Sequence, residues 1–284
     1  MVRVKLYLLP MPSANRRPLT TVMLNFAIQT AREAGHVLAE RFGRTVLQVS
    51  YKGDIDLVTE SDLAAERLII ERIRSYYPRH AILSEEAGAS THDSDDVGAQ
   101  QSEYKWIVDP LDGTTNYAHG YPCFCVSIAL ERAGEIIVGV IYDPMRDEMF
   151  AAERGEGATL NGRRIRVSQT DDLNRALLCT GFPYDVRDRG EFVRHFAGFI
   201  MHAQAVRRDG SAALDLAYVA CGRFDGFWEE GLRPWDVAAG VILVEESGGH
   251  VTHYDGSRFR VYAPPILASN GLIHDAMMGV LTAR

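Results

Sequence analysis

The 284-residue chain is short of cysteine, having four, and their spacing contains no paired metal-binding pattern. That excludes a disulfide-stapled scaffold and a thiolate zinc site. Cys123 and Cys125 alternate within Cys-Phe-Cys-Val-Ser-Ile-Ala-Leu, so both are expected on one side of a sheet as small hydrophobes. Free thiols of this kind point to a reducing cytoplasm. Long apolar runs are missing too: none approaches the ~20 residues of a membrane span. The apolar Met1–Pro10 stretch, with Arg3 and Lys5, is too short for a signal sequence, and no small-residue cleavage site follows it. Residues up to about 20 therefore read as a loose tail. Nor is there an excess of positive charge. A formal net charge of −8 argues against direct nucleic-acid binding or an anionic membrane surface as the main partner. None of the nine histidines stands in a clear ligand pair; His250 and His253, on a strand-like stretch, read as surface or core residues. Gly155-x-Gly157 lacks the third glycine and the following helix of a dinucleotide site, and reads as a loop.

What is present is an ordinary globular composition, 46% hydrophobic and 24% charged, with enough chain to bury a large core. Ala27, Ala31, Ala34, Leu38 and Phe42 recur at helical spacing between Asn25 and the stop signal Gly43. Val46–Val49 is strand-like and Lys52–Asp56 a polar turn. Thr59-Glu60-Ser61-Asp62 carries a capping-box pattern for a helix reaching Pro78. A short strand Ala81–Leu83 follows, then a polar surface loop from Ala87 to Glu103. Trp106–Val108 reads as the end of a buried strand. Cys123–Leu130 and Ile136–Tyr142 form a hairpin through Ala133-Gly134, followed by strands Glu148–Ala152 and Ile165–Val167 with a turn at Asn161-Gly162. Beyond this, strands are expected at Leu177–Thr180, Gly226–Trp228 and Ile266–Ala268. Helices are expected at Glu191–Ala203, Ser211–Cys221, Trp235–Ser247 and Leu272–Leu281. The change of texture near Ser168–Leu173 divides the chain into a tail (1–20), an α+β part (21–170) and an α/β part (171–284).

The chemistry concentrates in Asp109-Pro-Leu-Asp-Gly-Thr-Thr-Asn116. Two acids after a buried strand repel unless something positive lies between them, and the small residues that follow offer free backbone N–H groups to an anion. A magnesium ion beside a phosphate meets both demands. Asp62, Glu85 with Glu86, and Asp236 supply further acids next to apolar runs. Taken singly, they read as helix caps or solvated loop charges. Taken together, they match hydrolysis of a phosphate monoester by two metal ions sharing a carboxylate. One ion acidifies the attacking water and the other stabilises the leaving oxygen, with no Cys or His nucleophile.

The motif Asp109–Asn116 with Trp235-Asp-Val-Ala-Ala-Gly240 resembles the paired motifs of the inositol monophosphatase family, its bacterial branch in particular. Asp56-Leu-Val-Thr-Glu-Ser-Asp62, Ser84-Glu-Glu86 and Gly210-Ser-Ala-Ala213 match in the same order. The resemblance implies a layered αβαβα sandwich, a homodimer, lithium inhibition and two to three Mg2+ per site. It implies that Glu85, Asp109 and the Leu111 carbonyl hold a first ion. Asp109, Asp112 and Asp236 would hold a second, and Glu85 with waters a third. Thr114, bonded to Asp62, would orient the attacking water. The amides of Gly113 and Thr114 would take the phosphate, and Asp112, Ala212, Glu229 and Asp236 the hydroxyls of a small phosphorylated polyol or sugar. The turn from Lys52 to Asp62 is one residue shorter than in the animal enzymes. Myo-inositol 1-phosphate is the leading substrate, with fructose 1,6-bisphosphate, histidinol phosphate or a 3′-phosphoadenosine nucleotide as alternatives. A bisphosphate needs a second anion pocket, for which Arg187, Arg189, Arg207, Arg208 and Arg233 are candidates. Some bacterial relatives are implicated in transcription antitermination, which makes an interaction protein the rival class.

Overall fold

A computed structural model describes residues 19–43, 49–51, 57–90, 102–182, 190–263 and 265–283. The tail before residue 19, the stretch 44–48, the turn Lys52–Asp56, and Arg187 and Arg189 lie outside the described residues.

Five layers stack. The outermost pairs helix α1 (Leu19–Arg41) with α2 (Glu60–Tyr76). A small ribbon, β1 (Val49–Tyr51) with β2 (Leu57–Thr59), lies between them in the chain. In α1 the buried Met23, Ala27, Ala31, Ala34 and Leu38 recur every three or four residues, giving one apolar stripe for the sheet below. The helix starts earlier than the expected Asn25, because the apolar periodicity reaches back through Met23. Thr59 caps α2 with a capping box completed by Asp62, as its sequence predicts.

The second layer is an eight-stranded sheet. It contains β3 (Ala81–Ser84), β4 (Gly88–Ser90), β5 (Tyr104–Asp112), β6 (Cys125–Arg132), β7 (Glu135–Asp143), β8 (Glu148–Glu153), β9 (Gly157–Leu160) and β10 (Arg163–Arg164). Their order is β10-β9-β8-β7-β6-β5-β3-β4, antiparallel except for the β3–β5 pair. The hairpins turn through Ala133-Gly134 and Asn161-Gly162, with both residues of each pair at positive φ, as a tight two-residue turn between right-twisted strands requires. Three expectations are corrected here. The stretch after Ala87 is not all loop, since Gly88–Ser90 pairs with β3 as an edge strand. Ile165–Val167 is not a strand: the hairpin partner of β9 is the shorter Arg163–Arg164, and Val167 N instead bonds the Ser247 carbonyl. The strand expected to stop at Val108 runs on to Asp112 through a bulge that accommodates Pro110.

The middle layer holds α5 (Ala212–Ala220) and α6 (Pro234–Glu246), which pack against both sheets. Both are largely apolar because both faces are covered: α5 is buried throughout, Asp215 included, and every residue of α6 from Val237 to Val244 is buried. Gly139 permits the close approach of α6 to the first sheet: a Cβ there would stand 2.7 Å from the Ala239 carbonyl oxygen. The fourth layer is a five-stranded sheet of order β12-β11-β13-β15-β14. Its strands are β11 (Leu177–Thr180), β12 (Ala205–Arg207), β13 (Gly226–Glu229), β14 (His250–Thr252) and β15 (Ile266–Ser269). Outside it lie α4 (Glu191–Ile200) and α7 (His274–Thr282). The first ends at Ile200, before the expected Ala203: the N–H groups of His202 and Ala203 share the Phe199 carbonyl as a closing turn, and Gln204 already bonds Ala176 on the way into β12. One short helix, α3 (Thr114–Ala118), stands apart from these layers, directly after β5. No helix among the described residues is long and apolar enough to cross a membrane.

Candidate active site

The β5 bulge aims the acids. Trp106 and Val108 belong to the apolar cluster under α1 and α2, whereas Ile107 belongs to the cluster around α5 and α6. By alternation Asp109 shares the face of Ile107. A regular strand would send Asp112 to the opposite face. The ladder instead pairs Asp109 with Ser127 and Asp112 with Cys125, so one extra residue on β5 returns Asp112 to the face of Asp109. Ser127 on that face bonds the Trp235 carbonyl of α6 at 3.2 Å. Both acids therefore look toward the N-terminal ends of α5 and α6.

Each aspartate is anchored through one carboxylate oxygen. Oδ1 of Asp109 accepts from the Leu111 N–H at 3.0 Å. Oδ2 of Asp112 accepts from the Ser211 hydroxyl at 2.6 Å and the Ala213 N–H at 2.8 Å, with the Cys125 thiol at 3.8 Å. Asp236, in the first turn of α6, accepts the Arg233 N–H through Oδ2 at 2.7 Å, which satisfies the amide of the residue that precedes the helix. Glu85 leaves β3 directly beside Asp109. Its N–H donates to the Val108 carbonyl at 3.2 Å, and Ser84 and Val108 are parallel partners.

Electrostatics report the same convergence. The Asp109 carboxyl, 2% exposed, is held well above the ordinary carboxylate range, first by burial and then by Glu85, Asp112 and Asp236. Burial raises Asp236 in the same way, with Asp112 and Glu85 adding to it while the Arg233 N–H opposes. Asp112 is also raised by burial, against the Ser211 and Ala213 hydrogen bonds. Four acids from β3, β5 and α6 thus share one field that asks for positive charge. Among the described residues no group of three or more His, Cys, Asp or Glu side chains is already closed around an ion position. The donors that converge here are oxygens throughout, the kind that magnesium takes together with several waters.

Beside the acids, Gly113 has φ 96°, and a Cβ on it would meet the Cys123 carbonyl oxygen at 2.8 Å. Glycine is required there to turn the chain from β5 into α3. Asn116 fastens α3 to the approach to α5, donating to the Cys123 and Asp209 carbonyls, both at 2.8 Å. Thr114, first residue of α3, has its hydroxyl 3.1 Å from Asp62 Oδ1 and 3.0 Å from the Leu111 carbonyl. One hydroxyl hydrogen serves only one of these acceptors at a time. Asp62 is fully buried, accepts the Thr59 N–H at 3.0 Å and the Thr59 hydroxyl through Oδ2, and is raised by burial.

The remaining predicted residues line the opposite wall. Ala212 opens α5, and Glu229 closes β13 with its carboxylate against Gly181, where a Cβ would fall 2.2 Å from Oε2. Burial raises Glu229 well above its usual range, followed by Asp236 and Asp112, while Arg208 opposes. Of the arginines, Arg208 lies over the Phe182 ring at 5.7 Å and Arg233 beside Asp236, whereas Arg207 donates to the Val206 carbonyl at 3.4 Å.

Several residues at the site had no clear signal in the sequence. Glu66 on α2 is buried and receives the Ser84 hydroxyl and the N–H groups of Glu86 and Ala87, the last two at 3.1 and 3.0 Å, so it holds the turn that carries Glu85. Its position one helical turn beyond Asp62 was the available hint. Ser211, the α5 cap, doubles as a donor to Asp112. Cys125 is more than a small hydrophobe, since its sulfur lies against Asp112.

Comparison with known proteins gives a consistent answer. Residues 20–283 match the pattern of the inositol monophosphatase family. The chain is 45% identical to Nus factor SuhB of Escherichia coli (strain K12) over 90% of this chain and 94% of that one. It is 44% identical to an inositol-1-monophosphatase of Mesorhizobium japonicum, over 91% and 95%. Among solved structures, inositol monophosphatase from Anabaena superposes with a TM-score of 0.80 at 46% identity, covering 92% of this chain and 95% of that one. Fold and sequence agree: the chain belongs to the inositol monophosphatase family.

Proposed function

We propose that this protein hydrolyses small phosphate monoesters, myo-inositol 1-phosphate foremost, with magnesium. The observation that carries the reading is the set Asp109, Asp112 and Asp236. Each is fixed through one carboxylate oxygen, and all three lie with Glu85 in a shared negative field. In this reading Glu85, Asp109 and the Leu111 carbonyl hold one ion, and Asp109, Asp112 and Asp236 a second. A third falls to Glu85 and waters. Bound magnesium supplies positive charge that acidifies water and offsets the charge of the phosphoryl group. The chain itself does the positioning. Thr114 gives its hydrogen to buried Asp62 and turns a lone pair toward the attacking water, so the proton leaves in the direction of Asp62. The amides of Gly113 and Thr114 take phosphoryl oxygens. Asp112, Ala212, Glu229 and Asp236 face the hydroxyls of the departing polyol. The homodimer and the lithium inhibition implied by the family belong to the same proposal.

Phosphate release from inositol 1-phosphate, fructose 1,6-bisphosphate and histidinol phosphate, measured under matched magnesium, tests this. Inositol 1-phosphate is expected to be turned over fastest, and chelation is expected to abolish release. Release that survives chelation would rule out the metal reading. Preference for the bisphosphate would instead point to Arg208 as its second anion partner. A second reading rests on the Nus-factor name of the Escherichia coli relative: a protein-binding role carried alongside catalysis. Recovery of the same partner by wild-type protein and by a catalytically dead Asp109→Asn variant would support it, and loss of the partner with the dead site would oppose it.

A further inference from the structure

Two acids stand in the apolar stripe of α2. Asp62 and Glu66, one helical turn apart, are 0% and 6% exposed and share the face of the buried Ala65, Ile69 and Ile73. Asp62 is accounted for by Thr59 and Thr114. Glu66 serves another element. Its Oε1 accepts the Ser84 hydroxyl, the Glu86 N–H at 3.1 Å and the Ala87 N–H at 3.0 Å. β3 ends at Ser84 and β4 begins at Gly88, its pairing partner, so Glu85, Glu86 and Ala87 form a three-residue hairpin loop. β4 is only three residues long and lies at the edge of the sheet, so it braces that loop from one side. The peptide units on both sides of Glu85 are nevertheless held. A peptide unit is planar, so the direction of a residue's side chain follows from the two planes that flank it. The plane before Glu85 is fixed by its own N–H, which donates to the Val108 carbonyl at 3.2 Å. The plane after it is fixed by the Glu86 N–H, which donates to Glu66. β5 grips one side of the Glu85 Cα and α2 the other.

A carboxyl in a helix stripe is costly to bury, and an apolar side chain would pack there at lower cost. Among the described residues, the hydrogen bonds that Glu66 accepts all come from Ser84 to Ala87. Water could satisfy the N–H groups of a surface loop without that cost. A side chain that does so from the core fixes where the loop points. What the loop carries is Glu85, which acts more strongly on the Asp109 carboxyl than any other charged neighbour. We propose that Glu66 is a positioning residue for magnesium: by holding the peptide plane after Glu85 it keeps that carboxylate beside Asp109 and sets the affinity of the ion they share. The proposal rests on the functional reading above, in which Glu85 and Asp109 hold one ion. Partners that orient a metal's ligands tune its binding in just this manner. The same helix carries Asp62, four residues and about 6 Å of rise away. α2 therefore registers the carboxylate that holds an ion against the hydroxyl that orients water. Glu66 belongs to the binding half of that division, because Thr114 keeps its own bond to Asp62.

The test titrates magnesium alone into substrate-free wild type and variants, followed by calorimetry and by the rise in melting temperature. Phosphate release is then measured from low to saturating magnesium. Glu66→Ala is expected to raise the magnesium Kd by about tenfold or more, the loss that follows when the partner orienting a metal ligand is removed. Turnover at saturating magnesium should stay within about twofold of wild type, since the loss is one of binding. Two further variants separate geometry from charge. Glu66→Gln keeps the length of the side chain and an acceptor oxygen, and should recover most of the loss. Glu66→Asp keeps the charge but is one methylene shorter, which draws its oxygens away from Glu86 and Ala87. It should bind magnesium nearly as weakly as Glu66→Ala. The reverse order, with Asp like wild type and Gln like Ala, would mean that Glu66 acts through charge alone, and overturns the hold. Ile69→Val, in the same stripe but without a polar group, should lower the melting temperature and leave the magnesium Kd unchanged. An equal rise in Kd there would reduce the Glu66 effect to lost stability and overturn the proposal too. If Glu66→Ala does not fold, the Gln and Asp variants decide. Wild type that binds magnesium, with all Glu66 variants binding equally well, overturns the hold and leaves the metal phosphatase standing. Wild type that binds no magnesium overturns the metal reading itself, and the hold with it.

Discussion

Asp109→Asn is expected to abolish magnesium-dependent phosphate release and, in chelator, to make the protein melt at a higher temperature than wild type. The first effect should be about a thousandfold or more, the order that follows when several kcal/mol of charge stabilisation is removed from the transition state. The second follows from the field at the site. Asp109 is buried, and its carboxyl is raised well above the ordinary range by desolvation and by Glu85, Asp112 and Asp236. For a carboxyl whose folded value lies above its unfolded one, the neutral form favours folding. Its contribution is therefore full below the ordinary carboxylate range near pH 4 and is lost as pH rises through the folded value. The metal-free protein should melt lower at an upper, neutral pH than at a pH near the ordinary carboxylate range, and Asn, which never ionises, should remove part of that loss. Magnesium should restore wild type at the upper pH and leave the variant unmoved. Calorimetry with chelator and with magnesium at both pH values decides it: chelated wild type melting higher at the upper pH would mean that the acids carry no uncompensated charge.

Asp62→Asn and Thr114→Ala should each cut turnover by about a hundredfold or more, the range for a lost proton-handling group. Asp62 also closes the capping box of α2, and if capping were its whole contribution the loss would be about 1 kcal/mol of stability with near-normal turnover. The two roles use different oxygens, Oδ2 toward Thr59 and Oδ1 toward Thr114. Asn can still present a carbonyl oxygen to Thr59 but cannot draw a proton through Thr114. Thr114→Ser should therefore retain most activity, and the double variant should be little worse than the poorer single one, since residues acting as a unit are not additive. Additive losses in the double variant, or normal turnover in Asp62→Asn, would return Asp62 to the status of a cap.

Much of this was legible in the chain because it depends on local rules. The Thr59 cap, the two tight turns and the apolar-rich helix at Trp235 each follow from residues within a few positions of one another, and each stands where the pattern puts it. The acids were legible for the same reason, lying at strand or helix ends where a carboxylate has a place to point. What local rules could not supply was reach. Glu66 reads as one more surface helix residue until the fold closes the Glu86 turn over it. Nothing in Arg-His195 or Glu-Glu230 announces a contact formed only when α4 packs on the second sheet. The run of β5 past Val108 was hidden by Pro110, which ordinarily argues against a strand and here marks its irregularity.

That irregularity gives the site an unusual sensitivity to length rather than to composition. Asp109 and Asp112 serve one cleft only because an odd surplus of one residue separates them on β5. Exchanging Leu111 for another apolar residue changes side-chain volume and little else. Deleting it would even out the ladder and leave the second carboxylate on the same face, but it would remove the bulge, and with it the Leu111 N–H that anchors Asp109 Oδ1. A frame of this kind drifts freely by substitution yet is closed to single-codon loss. Related chains that keep the chemistry should therefore vary in the letters between the two acids and hold constant their number.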